Sequence, residues 1–280
     1  MFGGLIKLMR PKQWVKNCFV LAPLVFSSRF LEIDALVHSV LAAIFFCIAS
    51  SAAYIVNDIR DKEKDQCHPK KSVTRPLAAG IVSVRQALIL LFVLYIVIVI
   101  GAFLFTNVIL VIGAYILLNV LYTLYFKNQP VLDIFCIATG FVLRIVAGSV
   151  AIDAPVSAWM AITTLCLALY LAAIKRRQEL SQRGTASREV LRKYTLELID
   201  RFAEMSATGA LVFYSMFVMS SKPELNITVP VVLFGIFRYW YVVEAFEGGE
   251  SPTDALLADW QLILCLIIWS SLCIWTLLPK

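Results

Sequence analysis

The sequence predicts an all-α polytopic membrane protein, and three observations carry that expectation. Of its 280 residues, 60% are hydrophobic and only 16% are charged, against about 25% charged in soluble domains, and the mean hydropathy is +0.83. The apolar residues gather into nine stretches of spanning or near-spanning length, roughly 15–30, 35–56, 84–105, 107–126, 131–152, 156–174, 203–220, 227–245 and 260–278. The basic residues are unevenly divided among the loops between them. In hydrocarbon the backbone must satisfy its own polar groups, so stretches of this length read as helices.

The first stretch is the weakest: it is short, contains Pro23 and follows the basic RPKQWVKN of residues 10–17, so it is expected to tilt or to enter only partly. The second, 35–56, runs into the polar NDIRDKEKD. The third to sixth are joined by short connections, including the turn KNQP, and the sixth ends in KRRQEL. With the N-terminus in the cytoplasm, 20 of the 25 Lys and Arg lie in inner segments and only Arg29, Lys222 and Lys280 lie outside. Arg144 and Arg238 fall within spans. Cytoplasmic loops collect Lys and Arg, so this split fixes the topology as N-terminus in. Loops 57–83 and 175–202, the KNQP turn and FEGGESPTDALLAD then face the cytoplasm, as expected for a multi-pass protein of a bacterial-type inner membrane with residues 1–280 as one domain. Ser251 or Thr253 would cap the helix that follows the last of these loops.

The same distribution accounts for the net charge of +6 without a nucleic-acid partner. The seven cysteines show no disulfide or metal pattern, and five of them lie within apolar runs. His38 and His68 are far apart in sequence, and no removable signal peptide is read at the N-terminus.

NDIRDKEKD places Asn57, Asp58, Asp61 and Asp65 at the end of a span. If the helix continues through residue 65, Asn57, Asp61, Asp65 and Asp58 fall at about 0°, 40°, 80° and 100° around its axis. Like charges that close repel unless a cation lies among them. Carboxylate and amide oxygens are hard ligands, and Mg²⁺ prefers a few of them together with substrate phosphates. The cluster therefore reads as a metal–diphosphate clamp. The alternative is a solvated helix end whose acids pair with Arg60, Lys62 and Lys64.

The N-D-x-x-D-x-x-x-D spacing at a membrane exit resembles the first aspartate-rich motif of the UbiA superfamily of intramembrane prenyltransferases. RPKQWVKN, HPKKSVTRPLAAG at 68–80, KNQPVLDIFCIATGFVLRIVAG at 127–148, KRRQEL at 175–180 and GIFRYWYVVE…GGESPTDALLAD at 235–259 are similar to the decaprenyl-phosphate phosphoribosyltransferase branch. The resemblance covers nearly the whole chain. It implies nine helices around a central cavity, a Mg²⁺ cofactor, and transfer of 5-phosphoribose from phosphoribosyl diphosphate to a polyprenyl phosphate for cell-envelope glycan synthesis. It also implies catalytic roles for Asp58, Asp61 and Asp65, with Asn57 and Asp61 on the metal. One departure bears on the donor: the loop after the sixth span has Glu179 but no paired aspartates for a second metal clamp. Lys175, Arg176 and Arg177 suit a donor with an additional phosphate.

Other candidates are weighed singly. Lys16, with Lys12, Gln13 and Asn17, either flanks a span or faces a phosphate, and Trp14 anchors at the interface. Tyr54, one turn before Asn57, either lines the same pocket or is an interfacial tyrosine. Lys71 and Arg75 follow the acid cluster. Lys127 is a candidate for the lipid phosphate, while Asp133 caps or pairs locally. Arg144 lies about 20 Å into its span, too deep to snorkel. It calls for a substrate phosphate or a carboxylate from another span. Arg238 is shallower and can snorkel.

Two other functions are weighed against phosphoribosyl transfer. One is prenyl transfer from a prenyl diphosphate. The other is transport of an anionic lipid, which would spread polar residues through several spans instead of gathering them at one end. Self-association into a homo-oligomer is compatible with the sequence.

Overall fold

The structure is a computed structural model that describes residues 2–68, 71–103, 105–183, 189–245 and 258–278. Ser251 and Thr253 lie outside the described residues. Among those described the protein is all-helical, and eight helices are long and apolar enough to cross a membrane.

The chain opens with α1 (Phe2–Leu8), a 3₁₀ helix over Pro11–Leu21 and the short α2 (Ala22–Phe26). Then come α3 (Ile33–Arg60), α4 (Lys62–Gln66), α5 (Lys71–Thr74), α6 (Val84–Ala102) and α7 (Thr106–Leu124). After a 3₁₀ turn at Phe126–Asn128 follow α8 (Leu132–Ala151), α9 (Ala158–Arg183), α10 (Leu196–Ser221), α11 (Val229–Ala245) and α12 (Trp260–Leu277). Two further 3₁₀ segments, Glu189–Lys193 and Pro223–Thr228, precede α10 and α11.

Eight of the nine apolar stretches are these long helices. Residues 15–30 differ: they divide between the 3₁₀ helix, α2 and a break before α3. Runs of 3₁₀ helix this long are uncommon, and side chains tie this one to α3. Trp14 Nε1 donates to Ser51 Oγ at 3.0 Å. Asn17 Nδ2 donates to Ser50 Oγ at 3.2 Å and to Cys47 Sγ at 3.2 Å.

The chain forms two compact units. The first holds residues 1–24, 32–124 and 143–154. Its buried cores join Val20, Phe46, Ile112, Tyr115 and Ala147, and Leu8, Ile55, Leu77, Val82 and Leu94. The buried face of α3 is largely Ala and Ser (Ala35, Ser39, Ala42, Ala49, Ser50, Ser51, Ala52). Small residues allow close backbone approach, which drives helix association where lipid removes the usual hydrophobic gain. Gly148 in α8 is the clearest case: a Cβ there would lie 1.8 Å from the Val20 carbonyl oxygen. On α6, Ile89, Phe92, Val93, Ile96, Val99 and Ile100 are exposed, the face expected to meet lipid. Ser83 and Gln86 form a capping box that starts this helix.

The second unit holds residues 25–31, 125–142 and 155–280. Tyr170, Ile174, Val190, Leu191, Ile199 and Tyr239 form one core, and Tyr214, Phe217, Val218, Leu225 and Cys273 another. The Thr195 side chain caps α10, and that of Asp259 caps α12.

Candidate active site

The acid motif lies in the first unit. α3 does not continue through residue 65. It ends at Arg60, Asp61 takes φ −91° and ψ 7°, and α4 begins at Lys62. The break is narrow, because Asp61 N–H still donates to the Asn57 carbonyl at 2.9 Å and Asp65 N–H to that of Asp61 at 2.8 Å. The single-helix arrangement expected from the spacing is therefore corrected to two helices that meet at Asp61. Asn57 and Asp61 are half-buried, whereas Asp58 and Asp65 are buried.

Arginines lie between the two buried acids. Arg10 Nη2 is 2.5 Å from Asp58 Oδ1. Arg75 Nη1 is 3.1 Å from the same oxygen and also donates to Asp65 Oδ2. Lys71 Nζ is 3.6 Å from Asp65 Oδ1. Among the described residues, Asp58 and Asp65 thus pair with Arg10 and with Lys71 and Arg75 beyond α4, and not with the neighbouring Arg60, Lys62 and Lys64 that sequence proximity suggested. Arg10 has φ 55°, and its guanidinium lies 4.8 Å above the Tyr54 ring. Asp58 Oδ2 is buried without a hydrogen-bond partner.

A polar seam runs along α3 from this cluster. Cys47, Ser50, Ser51, Tyr54 and Asp58 recur at helical spacing and receive the RPKQWVKN segment. Asn17 lies at its end, and its Oδ1 accepts from Arg144 Nε at 2.8 Å. Arg144 Nη2 donates to the Tyr115 hydroxyl at 3.2 Å. The guanidinium also stands over the rings of Tyr115 and Phe46, at 4.9 and 5.3 Å. Amide, phenol and aromatic faces thus surround the buried Arg144, in addition to any phosphate it serves. Lys16, half-buried, lies within electrostatic range of Tyr115, as does Tyr54.

The second unit holds the other basic candidates. Arg176 is 1% exposed; its Nε donates to Asp133 Oδ2 at 2.6 Å and its Nη1 to Glu179 Oε2 at 2.7 Å. Arg176, expected at a substrate phosphate, is thus engaged with Asp133 and Glu179. Arg177 makes ion pairs with Asp200 at 2.6 Å and Glu244 at 2.8 Å, tying α9 to α10 and α11. Lys175 on α9 and Lys127 on the 3₁₀ turn are half-buried. Asp133, expected to cap or pair locally, instead meets residues far along the chain, because the Tyr194 hydroxyl donates to its Oδ1 at 2.8 Å. Burial pushes the Tyr194 phenol well above its ordinary value.

Among the described residues, no three His, Cys, Asp or Glu are placed to hold a metal by themselves. Mg²⁺ does not require three, because it keeps water and substrate phosphate in its shell. The oxygen donors of Asn57 and Asp61, with the unpartnered Asp58 Oδ2 beside them in the motif, suit that ion chemically.

An all-α membrane bundle with an aspartate motif at a helix end defines a class of intramembrane enzyme, and the chain belongs to it: the UbiA prenyltransferase family model matches residues 19–263, reaching into both units. The chain is 33% identical over 288 residues to the decaprenyl-phosphate phosphoribosyltransferase of Mycolicibacterium smegmatis, covering 95% of this chain and 90% of that one. It is 34% identical over 286 residues to the enzyme of the same name from Corynebacterium glutamicum, covering 95% and 84%. A UbiA homolog from Archaeoglobus fulgidus, solved bound to GPP and Mg²⁺, superposes with a TM-score of 0.74 at 19% identity, covering 98% of this chain and 99% of that one. That likeness shows the fold, and the relatives bear out the branch that RPKQWVKN and KNQPVLD point to.

Sequence reasoning missed Arg10, which entered only the charge count, and Tyr115 and Tyr194. Arg10 could have been found from the RPKQWVKN motif it opens. Tyr194 carries no local signal.

Proposed function

We propose that this integral membrane protein transfers 5-phosphoribose from phosphoribosyl diphosphate to a polyprenyl phosphate and releases diphosphate. The observation that carries the reading is the similarity to decaprenyl-phosphate phosphoribosyltransferases over 95% of the chain. The absence of a paired aspartate motif in KRRQEL supports the same donor. Residues 1–280 act as a single domain of the inner membrane with its N-terminus and active site on the cytoplasmic side, a topology supported by the basic-residue asymmetry.

Asn57 and Asp61 would hold Mg²⁺, which when bound would offset negative charge on the leaving diphosphate. The C1–O bond of the donor breaks and its electron pair leaves with diphosphate. Asp58 and Asp65 act chiefly by fixing Arg10, Arg75 and Lys71, whose charges favour the anionic donor. A phosphate oxygen of the lipid then bonds to C1 of the ribosyl centre. A phosphate monoester is largely ionised near neutral pH, so no strong general base is needed. Within the first unit, Lys16, Tyr54 and Arg144 are assigned to substrate phosphate. Within the second, Lys127 is assigned to the lipid phosphate and Lys175 to a substrate phosphate. Arg176 and Glu179 support Lys175 on α9. The product is a polyprenyl-phosphoryl-5-phosphoribose, a precursor of a lipid-linked pentose donor for envelope glycans.

A second reading, prenyl transfer from a prenyl diphosphate, is favoured by the family model. Purified protein incubated with labelled phosphoribosyl diphosphate, Mg²⁺ and polyprenyl phosphate separates the two. Label in the lipid product is expected. Prenyl transfer to an acceptor with no ribosyl transfer would reverse the order.

A further inference from the structure

We infer that Tyr194 is a positioning residue, which fixes the turn 126–131 and so places Lys127 for its substrate phosphate. The inference rests on the phosphoribosyl-transfer reading for the identity of that substrate. Its geometry lies wholly in the second unit.

The turn that carries Lys127 ends at Val131, whose φ is 68°. A β-branched residue rarely adopts this left-handed conformation, and where it does the surroundings must enforce it. The enforcing contact is the Val131 N–H, which donates to the Tyr194 hydroxyl at 2.6 Å. The same hydroxyl donates to Asp133 Oδ1 at 2.8 Å. Asp133 Oδ2 accepts from Arg176 Nε at 2.6 Å, and Arg176 Nη1 continues to Glu179. One phenol therefore grips the turn and the first residues of α8, and is itself held by a buried ion pair anchored on α9.

Each partner in this relay has one role its chemistry allows. A phenol has one proton, which goes to the carboxylate, and its lone pair meets the Val131 N–H. Burial keeps the proton on oxygen across the physiological range. Tyr194 and Asp133 are themselves buried, at 6% and 0% exposure, while Lys127 is half-buried on the 3₁₀ turn three residues before Pro130. Tyr194 is thus placed to act through the turn and not by touching the lipid. A lysine on a flexible stem orients a phosphate only if the backbone beneath it is fixed.

Tyr194→Phe removes the hydroxyl and keeps the ring in its core. In the full-length protein in detergent, hydrogen–deuterium exchange of the peptide spanning 126–134 should speed up about fivefold, the effect of losing one hydrogen bond of ordinary net strength. The KM for polyprenyl phosphate should rise about tenfold, while kcat and the KM for phosphoribosyl diphosphate stay within experimental spread and the thermal midpoint falls by only a few degrees. Unchanged exchange overturns the anchoring. Faster exchange with an unchanged acceptor KM overturns the link to Lys127, and so does a loss of kcat that affects both substrates alike. If the wild-type protein transfers no phosphoribose, the functional reading fails. The exchange measurement then decides separately whether Tyr194 holds the turn.

Discussion

Asp58→Asn separates the two jobs that the aspartate motif could do. In the structure the Asp58 side chain is 2% exposed and its Oδ1 is shared by Arg10 at 2.5 Å and Arg75 at 3.1 Å. Removing one charge from a buried ion pair costs about 3–5 kcal/mol. Arg10 and Arg75 are 25% and 19% exposed, so solvent screens part of the loss, and Arg75 keeps Asp65. The expected cost is about 2–3 kcal/mol, a fall of about 30- to 150-fold in the folded-to-unfolded ratio. Reversible unfolding in bicelles measures it directly. A cycle with Arg10→Gln should return a coupling of about 1–2 kcal/mol. The Mg²⁺ concentration for half-maximal turnover should stay close to that of the wild type. The opposite pattern, wild-type stability with a much higher Mg²⁺ requirement, would refute the ion-pair account and make the unpartnered Asp58 Oδ2 a metal ligand.

Three further outcomes are expected. Asp61→Ala should abolish turnover while leaving membrane insertion intact, and near-normal turnover at saturating Mg²⁺ in the correctly inserted protein would remove Asp61 from the metal. Lys127→Ala should raise the KM for polyprenyl phosphate by about tenfold or more without changing donor affinity; steady-state kinetics and a direct donor-binding measurement test this, and the reverse pattern would move Lys127 to the donor. The Arg238 guanidinium hydrogen-bonded to Asp259 holds that carboxyl below the usual carboxylate range. The resulting stabilisation is therefore full above the ordinary value, about pH 4, and is lost as pH falls through the lowered one. Thermal midpoints of the wild type and Asp259→Asn should differ at pH 7 and converge as the pH falls through the lowered value; a constant gap would show that the pair contributes nothing through charge.

How much could be read from the sequence depended on the range of the interaction. The long helices follow from composition alone, because any stretch of sufficient length and hydropathy must satisfy its backbone internally. Residues 15–30 did not follow, because their conformation depends on Trp14 and Asn17 reaching Ser51 and Ser50 on another helix. The acid motif was visible from its spacing, but the angular argument assumed an unbroken helix and failed at Asp61. Of its cationic partners, Lys71 and Arg75 follow closely, but Arg10 lies 48 residues from Asp58; in the second unit Arg176 likewise lies 43 residues from Asp133. Arg144 was recognisable as a buried charge that needs partners, yet Asn17 lies 127 residues away. Nothing local encodes such pairings.

The charge inventory bears on how one motif serves both fold and chemistry. In the first unit, Asp58 and Asp65 meet Arg10, Lys71 and Arg75, two negative groups against three positive. Asp133 and Glu179 in the second unit meet Arg176, and Lys127 and Lys175 are carried on the turn before α8 and on α9. In each unit a buried carboxylate holds an arginine in place, and in the acid cluster of the first unit three cations face two carboxylates. A catalyst that brings two phosphorylated substrates together must offset their mutual repulsion, so this surplus is what the proposed reaction requires. It also explains why the motif needs more acids than one ion would take. Asn57 and Asp61 are assigned to Mg²⁺, while Asp58 and Asp65 keep Arg10 and Arg75 from drifting toward solvent. Replacing Asp65 with Asn should therefore weaken donor binding through Arg75 and Lys71 even with Mg²⁺ saturating, a loss that added metal does not restore. Full recovery of donor affinity on raising Mg²⁺ would return Asp65 to the metal and break the division of labour.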